Sequence, residues 1–132
     1  MSTIDQAVAA AGTALPDVIT GHIGGESVPV DASAKHLGVY FPGTGEQIAL
    51  LQEDDASAVA IAVSTARESF DRGAWSSAST ATKQKVFRKT AQLIRDHAEE
   101  LAVLECACAG LPSSHLASRQ VPRAADNLDF FA

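Results

Sequence analysis

The stretch AVLECACAGLPSS, residues 102–114, holds both cysteines of this chain, Cys106 and Cys108. A thiol becomes a nucleophile when a nearby base, a cation or a helix N-terminus lowers its pKa. These two sit at the C-terminal end of a helix-like run, where the helix dipole disfavours a thiolate. Two residues apart on a helix, their side chains point away from each other, so they are not expected to pair as a disulfide. A metal centre would need further ligands, and C-x-C with His97 or His115 gives no recognised spacing. Both cysteines are therefore read as structural or incidental. His22, His36, His97 and His115 are dispersed and form no triad by sequence. Ser76, Ser77, Ser79, Ser113 and Ser114 lie in linkers and read as caps. Gly24-Gly25 is not a phosphate loop, because no G-x-G-x-x-G follows a strand and opens a helix. Gly43-Thr44-Gly45 lacks the P-loop lysine. No residue is assigned a catalytic, cofactor-binding or metal-binding role.

The elements that carry these residues fit one domain of 132 residues, long enough to bury a core. Hydrophobic residues are 46% and charged residues 20%, near the globular average, so the chain does not read as disordered. The formal net charge is −6, which leaves no electrostatic footprint for nucleic acid. Lys83, Lys85, Arg88 and Lys89 read as the solvated face of a helix. No segment reaches the ~18 apolar residues of a membrane span. The N-terminus lacks a basic region before its apolar patches and does not read as a secretory signal. The cytoplasm is the expected location.

Residues 1–21 read as a weakly ordered arm or short helix. AVAAAG is its helical part, with Gly12 and Pro16 ending it. HIGGESVPV, residues 22–30, reads as a strand or hairpin turning at Gly24-Gly25. HLGVYF (36–41) and EQIALLQE (46–53) read as an antiparallel pair across Pro42-Gly43-Thr44-Gly45. The period then changes to that of a helix. Val59, Ala62, Val63, Ala66 and Phe70 form one face, with Asp54 or Asp55 as cap and Gly73 as stop. Trp75 is expected to anchor the following linker. A second helix begins near Thr80, with Val86, Phe87, Ala91, Leu93, Ile94 and Ala98 as its apolar face. Asp96 and Glu99 have capping-box spacing and mark a third helix, ended by Gly110 and Pro112. The last helix runs from about Ser113, with Leu116, Ala117, Val121, Ala124, Ala125, Leu128 and Phe131 on one face. NLDFFA closes on two phenylalanines without a cap, which reads as a chain cut short or in need of a partner.

The order of these pieces carries a resemblance. IGGE, PGTGEQIA, ARESFDRGAW, KVFRKTAQLIRDHAEELAVLE, GLP and AADNLDFFA follow one another from residue 22 to residue 132. They resemble the N-terminal segment of the NAD(P)-dependent aldehyde dehydrogenase superfamily. That family typically shows I-G-G-E-W, N-P-A-T-G-E-V-I-A, A-A-R-x-A-F, G-x-W-S, L-x-x-L-A-D-L-I-E-x-H-x-x-E-L-A-x-L-E, L-D-N-G-K-P and F-x-Y-Y-A. The resemblance implies an α/β fold. This segment would supply N-terminal strands and a hairpin followed by about four helices. Residues 22–132 would be the N-terminal part of the cofactor-binding domain. In the family, a cysteine thiolate attacks the aldehyde, hydride passes to NAD(P)+, and glutamate-activated water releases the acid. Those segments lie later in the family's chain, and no position here matches them.

The resemblance also marks departures. Cys106 falls at a usual small residue, and Cys108 at an aspartate that helps the family hold a structural monovalent cation. A thiol is a poor ligand for a hard cation, which puts that site in doubt. Ser27 stands for a tryptophan. Phe41 stands for the asparagine of N-P and removes a side-chain turn hydrogen bond. The resulting expectation is part of an aldehyde dehydrogenase, without catalytic machinery or bound NAD or NADP of its own. Its partner would be the remainder of the enzyme or a homologous subunit, with a homo-oligomer expected from the family. The alternative is a non-enzymatic helical docking module that binds itself or a full-length relative. A third reading, a small redox or metal protein, has only the cysteine pair behind it.

Overall fold

The computed structural model describes residues 15–132. The AVAAAG helix and most of the N-terminal arm lie outside the described residues. The arm's last residues, read as weakly ordered, include β1, Val18–Ile19. It pairs in parallel with a strand some thirty residues on, Val18 beside Leu50, which sequence-local reasoning does not reach. β2, His22–Ile23, and β3, Glu26–Ser27, form the expected hairpin, with His22 opposite Ser27 and Ile23 opposite Glu26. Gly24 and Gly25 have φ of 67° and 93°. A two-residue hairpin turn that matches strand twist needs positive φ at both positions, which glycine adopts without strain.

β4, His36–Tyr40, and β5, Gln47–Gln52, are antiparallel across the PGTG turn, with an irregularity between Val39 and Tyr40. The turn closes where the Gly45 N–H donates to the Phe41 carbonyl at 2.8 Å. The sheet order is β1-β5-β4.

α1 spans Ala56–Asp71. Asp55 caps it, accepting from the Ala58 N–H at 2.8 Å and the Ser57 hydroxyl at 2.7 Å. These bonds favour the charged carboxylate, the Ala58 N–H most, and hold Asp55 below the usual aspartate pKa. Because the folded pKa is depressed, this stabilisation is present above the unfolded value of about 3.9 and is lost as pH falls through the folded one. Asp55→Ala is thus expected to be less stable than the parent at neutral pH. The gap should close below about pH 4 in parallel acid titrations followed by circular dichroism. A gap that persists unchanged at acid pH would show that the carboxylate charge is not what caps the helix.

α2 spans Thr80–Asp96, capped by Ser79, whose hydroxyl accepts from the Thr82 N–H. α3 spans Ala98–Ala109. The break between them falls as expected, but the Asp96 capping box does not form. His97 occupies the cap position without a side-chain cap bond, and Asp96 instead accepts from Gln92 one turn back. Gly110, at φ 71°, ends α3 in the left-handed cap. The final run starts as α4, Ser113–His115, widens into a π segment, Leu116–Gln120, and narrows into α5, Val121–Phe131. The Val121 N–H reaches back five residues to the Leu116 carbonyl. Pro122 follows immediately. It has no N–H for a carbonyl four residues earlier, and its ring crowds that carbonyl, so the wider turn relieves both.

The core lies between the end of β4 and the last helices. Phe41, Ala102, Cys106, Leu116 and Val121 form it, with Ile48, Ile94, Ala98 and Ala117 packed around them. α1 contributes no buried residue. Val59, Val63 and Phe70, on its expected core face, are each more than half exposed.

Candidate functional site

The helix that carries the cysteines separates them. Cys106 is buried in the core and Cys108 is exposed, both as free thiols. The Cys106 carbonyl accepts from the Gly110 N–H, so both residues belong to the negative end of α3. The histidines lie apart. His97 Nδ1 lies 2.9 Å from Glu100, His115 meets Gln120, His22 is exposed in β2, and His36 sits in β4. Among the described residues no three His, Cys, Asp or Glu side chains gather as a metal site.

Among the linker serines, Ser79 caps α2 and Ser76 donates to the Phe70 carbonyl at the end of α1. Ser113 and Ser114 do not cap: Pro112 holds that position, without a side-chain bond. Trp75 anchors the linker as expected, stacked on Phe87 at 6.3 Å with the Lys83 ammonium 5.9 Å from its ring centre.

Two concave regions stand out. The first, of about 570 Å³, lies between β5 and the start of α1 and is edged by Asp31, Lys35, Gln52, Glu53, Asp54 and Asp55. Several of its polar groups already have partners. Buried Gln52 accepts from the Asp31 N–H and donates to the Pro29 carbonyl. Asp31 accepts from the Ser33 hydroxyl and N–H, which lower its pKa, and Lys35 pairs with Glu53 at 2.7 Å. This arrangement holds loops together.

The second is an apolar groove of about 550 Å³ where α2, α3 and the last helical run meet. Ile94, Leu101, Leu111, Leu116, Val121 and Ala124 line much of it. Sequence reasoning placed several of these residues on helix faces but missed the groove. The signal was the number of apolar positions, more than four helices can turn toward each other. Arg95 fixes the groove's frame by bonding Asp126 at 2.8 Å and Asp129 at 2.7 Å, tying α2 to α5. These two carboxylates raise its pKa further, so the guanidinium stays charged.

Of the large apolar side chains among the described residues, Phe41, Leu116 and Val121 are buried, whereas fifteen are substantially exposed. The exposed set includes Val59, Val63 and Phe70 on α1, Leu93 and Leu101 beside the groove, and Phe130 and Phe131 at 82% and 77%. Apolar surface on this scale marks an interaction face. The arrangement offers contact surfaces and no assembled set of reacting groups. Among the described residues no helix is long and apolar enough to cross a membrane.

The sequence model of the aldehyde dehydrogenase family matches residues 30–132. A betaine aldehyde dehydrogenase of Vibrio vulnificus is 33% identical over 114 residues, covering 86% of this chain and 23% of its own length. Among solved structures, a gamma-glutamyl-gamma-aminobutyraldehyde dehydrogenase from Burkholderia cenocepacia superposes with TM-score 0.83 at 27% identity. That match covers 98% of this chain and 26% of the other. A variant indole-3-acetaldehyde dehydrogenase of P. syringae, in complex with NAD+ and IAA, matches with TM-score 0.81 at 30% identity. It covers 93% of this chain and 25% of the other. The chain thus spans about a quarter of the length of the relatives it matches.

Proposed function

The chain belongs to the aldehyde dehydrogenase family, and from that premise we propose that it serves as the N-terminal part of the cofactor-binding domain of an enzyme that oxidises an aldehyde to a carboxylic acid with NAD(P)+. Its role is architectural. It builds outer strands and helices on which the catalytic remainder rests. The observation that carries this reading is the excess of exposed large apolar side chains over buried ones, in a chain a quarter the length of its relatives. Surface of that kind is covered in a complete enzyme.

NAD(P) supplies the hydride acceptor in this chemistry, and the helix N-terminus that follows β5 does not suit its phosphates. The junction from β5 into α1 runs Glu53-Asp54-Asp55. Three carboxylates precede this helix N-terminus, and Asp55 already accepts from the Ala58 N–H. A pyrophosphate would meet like charge there instead of free donors. The reacting cysteine and glutamate likewise belong to the remainder. In this reading the enzyme acts in the cytoplasm and assembles as a homo-oligomer, with no nucleic-acid or membrane partner.

The test is an NADH absorbance assay with the chain alone, with a relative deleted for the matching segment, and with both together. The chain alone is expected to give no turnover, and the mixture is expected to recover activity that the deleted relative lacks. Turnover by the pure chain would overturn the proposal. The docking reading draws on the same exposed faces. It predicts a concentration-dependent self-associated species in light scattering, and a strict monomer would count against it.

A further inference from the structure

The PGTG turn rests on the C-terminal end of α3. A Cβ placed on Gly110 would lie 3.1 Å from the Pro42 Cβ, so turn and helix end are in close contact. Just before the turn, the Phe41 side chain enters the core with Ala102, Cys106, Leu116 and Val121 and is only 5% exposed. Its ring also lies beneath Gly43. A Cβ there would be 2.7 Å from Phe41 Cε1 and 3.0 Å from Cζ. Gly43 is not among the glycines with positive φ, so its backbone does not demand glycine. The ring does.

In the family pattern these two positions are Asn and Ala. The exchange is therefore coupled: the larger residue at 41 takes the space that the smaller one at 43 gives up. At the adjoining helix end, Cys108 replaces the aspartate that helps hold a monovalent cation. In place of an oxygen donor for such an ion, the chain offers the soft thiol of Cys108, a poor ligand for a hard cation.

We infer that this chain closes the junction between the PGTG turn and α3 with a matched apolar pair, Phe41 and Gly43, over Cys106, and that it does without a monovalent cation there. The pair rests on contacts within this chain. The absence of the cation rests on the family reading, and the two halves are read out separately.

The experiment uses the full chain with Cys108→Ser, so that Cys106 is the only thiol, and measures its labelling by an aromatic disulfide reagent. Gly43→Ala should displace the ring and speed labelling about tenfold or more. Phe41→Asn should uncover Cys106 directly. Adding Gly43→Ala to Phe41→Asn should then bring little further change, because the ring that clashed is gone. Unchanged labelling of Gly43→Ala, or independent effects of the two substitutions, would overturn the pair. For the ion, the parent chain is melted in sodium, potassium and tetramethylammonium chloride at equal ionic strength. Midpoints should agree within about 1 °C. A midpoint several degrees higher in sodium or potassium than in tetramethylammonium would overturn that half. Labelling needs no cooperative melt and tests the pair even if the family reading fails.

Discussion

Leu116→Ala is expected to destabilise the chain by roughly 3–5 kcal/mol, the upper part of the range for such truncations. Leu116 is 1% exposed and is the one large side chain among the described residues that is fully buried. Among the described residues nine apolar ones are buried, and five of them are alanines, Ala49, Ala91, Ala102, Ala107 and Ala125. Few neighbours are long enough to move into the space that a lost leucine leaves. The site is also rigid, because Leu116 opens the π segment and its carbonyl holds the Val121 N–H. A domain's whole stability is about 5–15 kcal/mol, so the loss would remove much of it. Urea unfolding should show a large fall in midpoint or no cooperative transition at all. A shift worth less than about 1 kcal/mol would mean that the core is centred elsewhere.

The second large effect is expected from Ala125→Leu. Ala125 on α5 and Ala91 on α2 have no exposed surface, on two helices that pack together. Residues this small let the helix backbones approach, and a leucine at 125 must push them apart. Overpacking of this kind costs about 1–3 kcal/mol. A second consequence follows from the ion pairs. Separating α2 from α5 would draw Arg95 away from Asp126 and Asp129, both within 3 Å in the parent. The variant should therefore melt earlier and lose the part of its salt dependence that these pairs supply. Ala60→Leu, on the exposed side of α1, is the control and should change stability by no more than about 0.5 kcal/mol. Equal melting of the two variants would show that α2 and α5 are not close-packed at Ala125.

What was legible in the sequence was mostly local. The Gly24-Gly25 hairpin, the PGTG turn, the caps at Asp55 and Ser79, and the Gly110 stop each depend on a few consecutive residues. Those residues leave the backbone little choice. The parallel pairing of Val18 with Leu50 could not be read this way, because nothing in either residue names its distant partner. The π segment had a signal in Pro122, but a proline near a helix start is ordinary and conceals a widened turn. The Asp96 box failed because spacing alone does not establish a cap. Gln92 took the carboxylate first.

Side-chain faces were legible, but their burial was not. Val59, Val63 and Phe70 share a helical face, yet periodicity does not say whether anything lies opposite. At the cysteines, the dipole and spacing arguments anticipated both free thiols, but only packing distinguished buried Cys106 from exposed Cys108. Phe41 was read as a lost hydrogen bond, because comparison with a pattern shows what a position gives up. Its place in the core depends on Ala102, Cys106 and Leu116, more than sixty residues away.

The sheet's outer strand bears on how such a surface behaves when crowded. Among the described residues β4 is paired on one side only, by β5. It is five residues long, preceded by Lys35, followed within two residues by Pro42, and bent by the irregularity at Val39 and Tyr40. A charge, a proline and a bend each oppose the docking of another strand's backbone. β1, at the other edge, has only two residues. Contacts between copies are therefore expected to form through side chains of the helices, to dissolve on dilution, and not to propagate as cross-β fibrils.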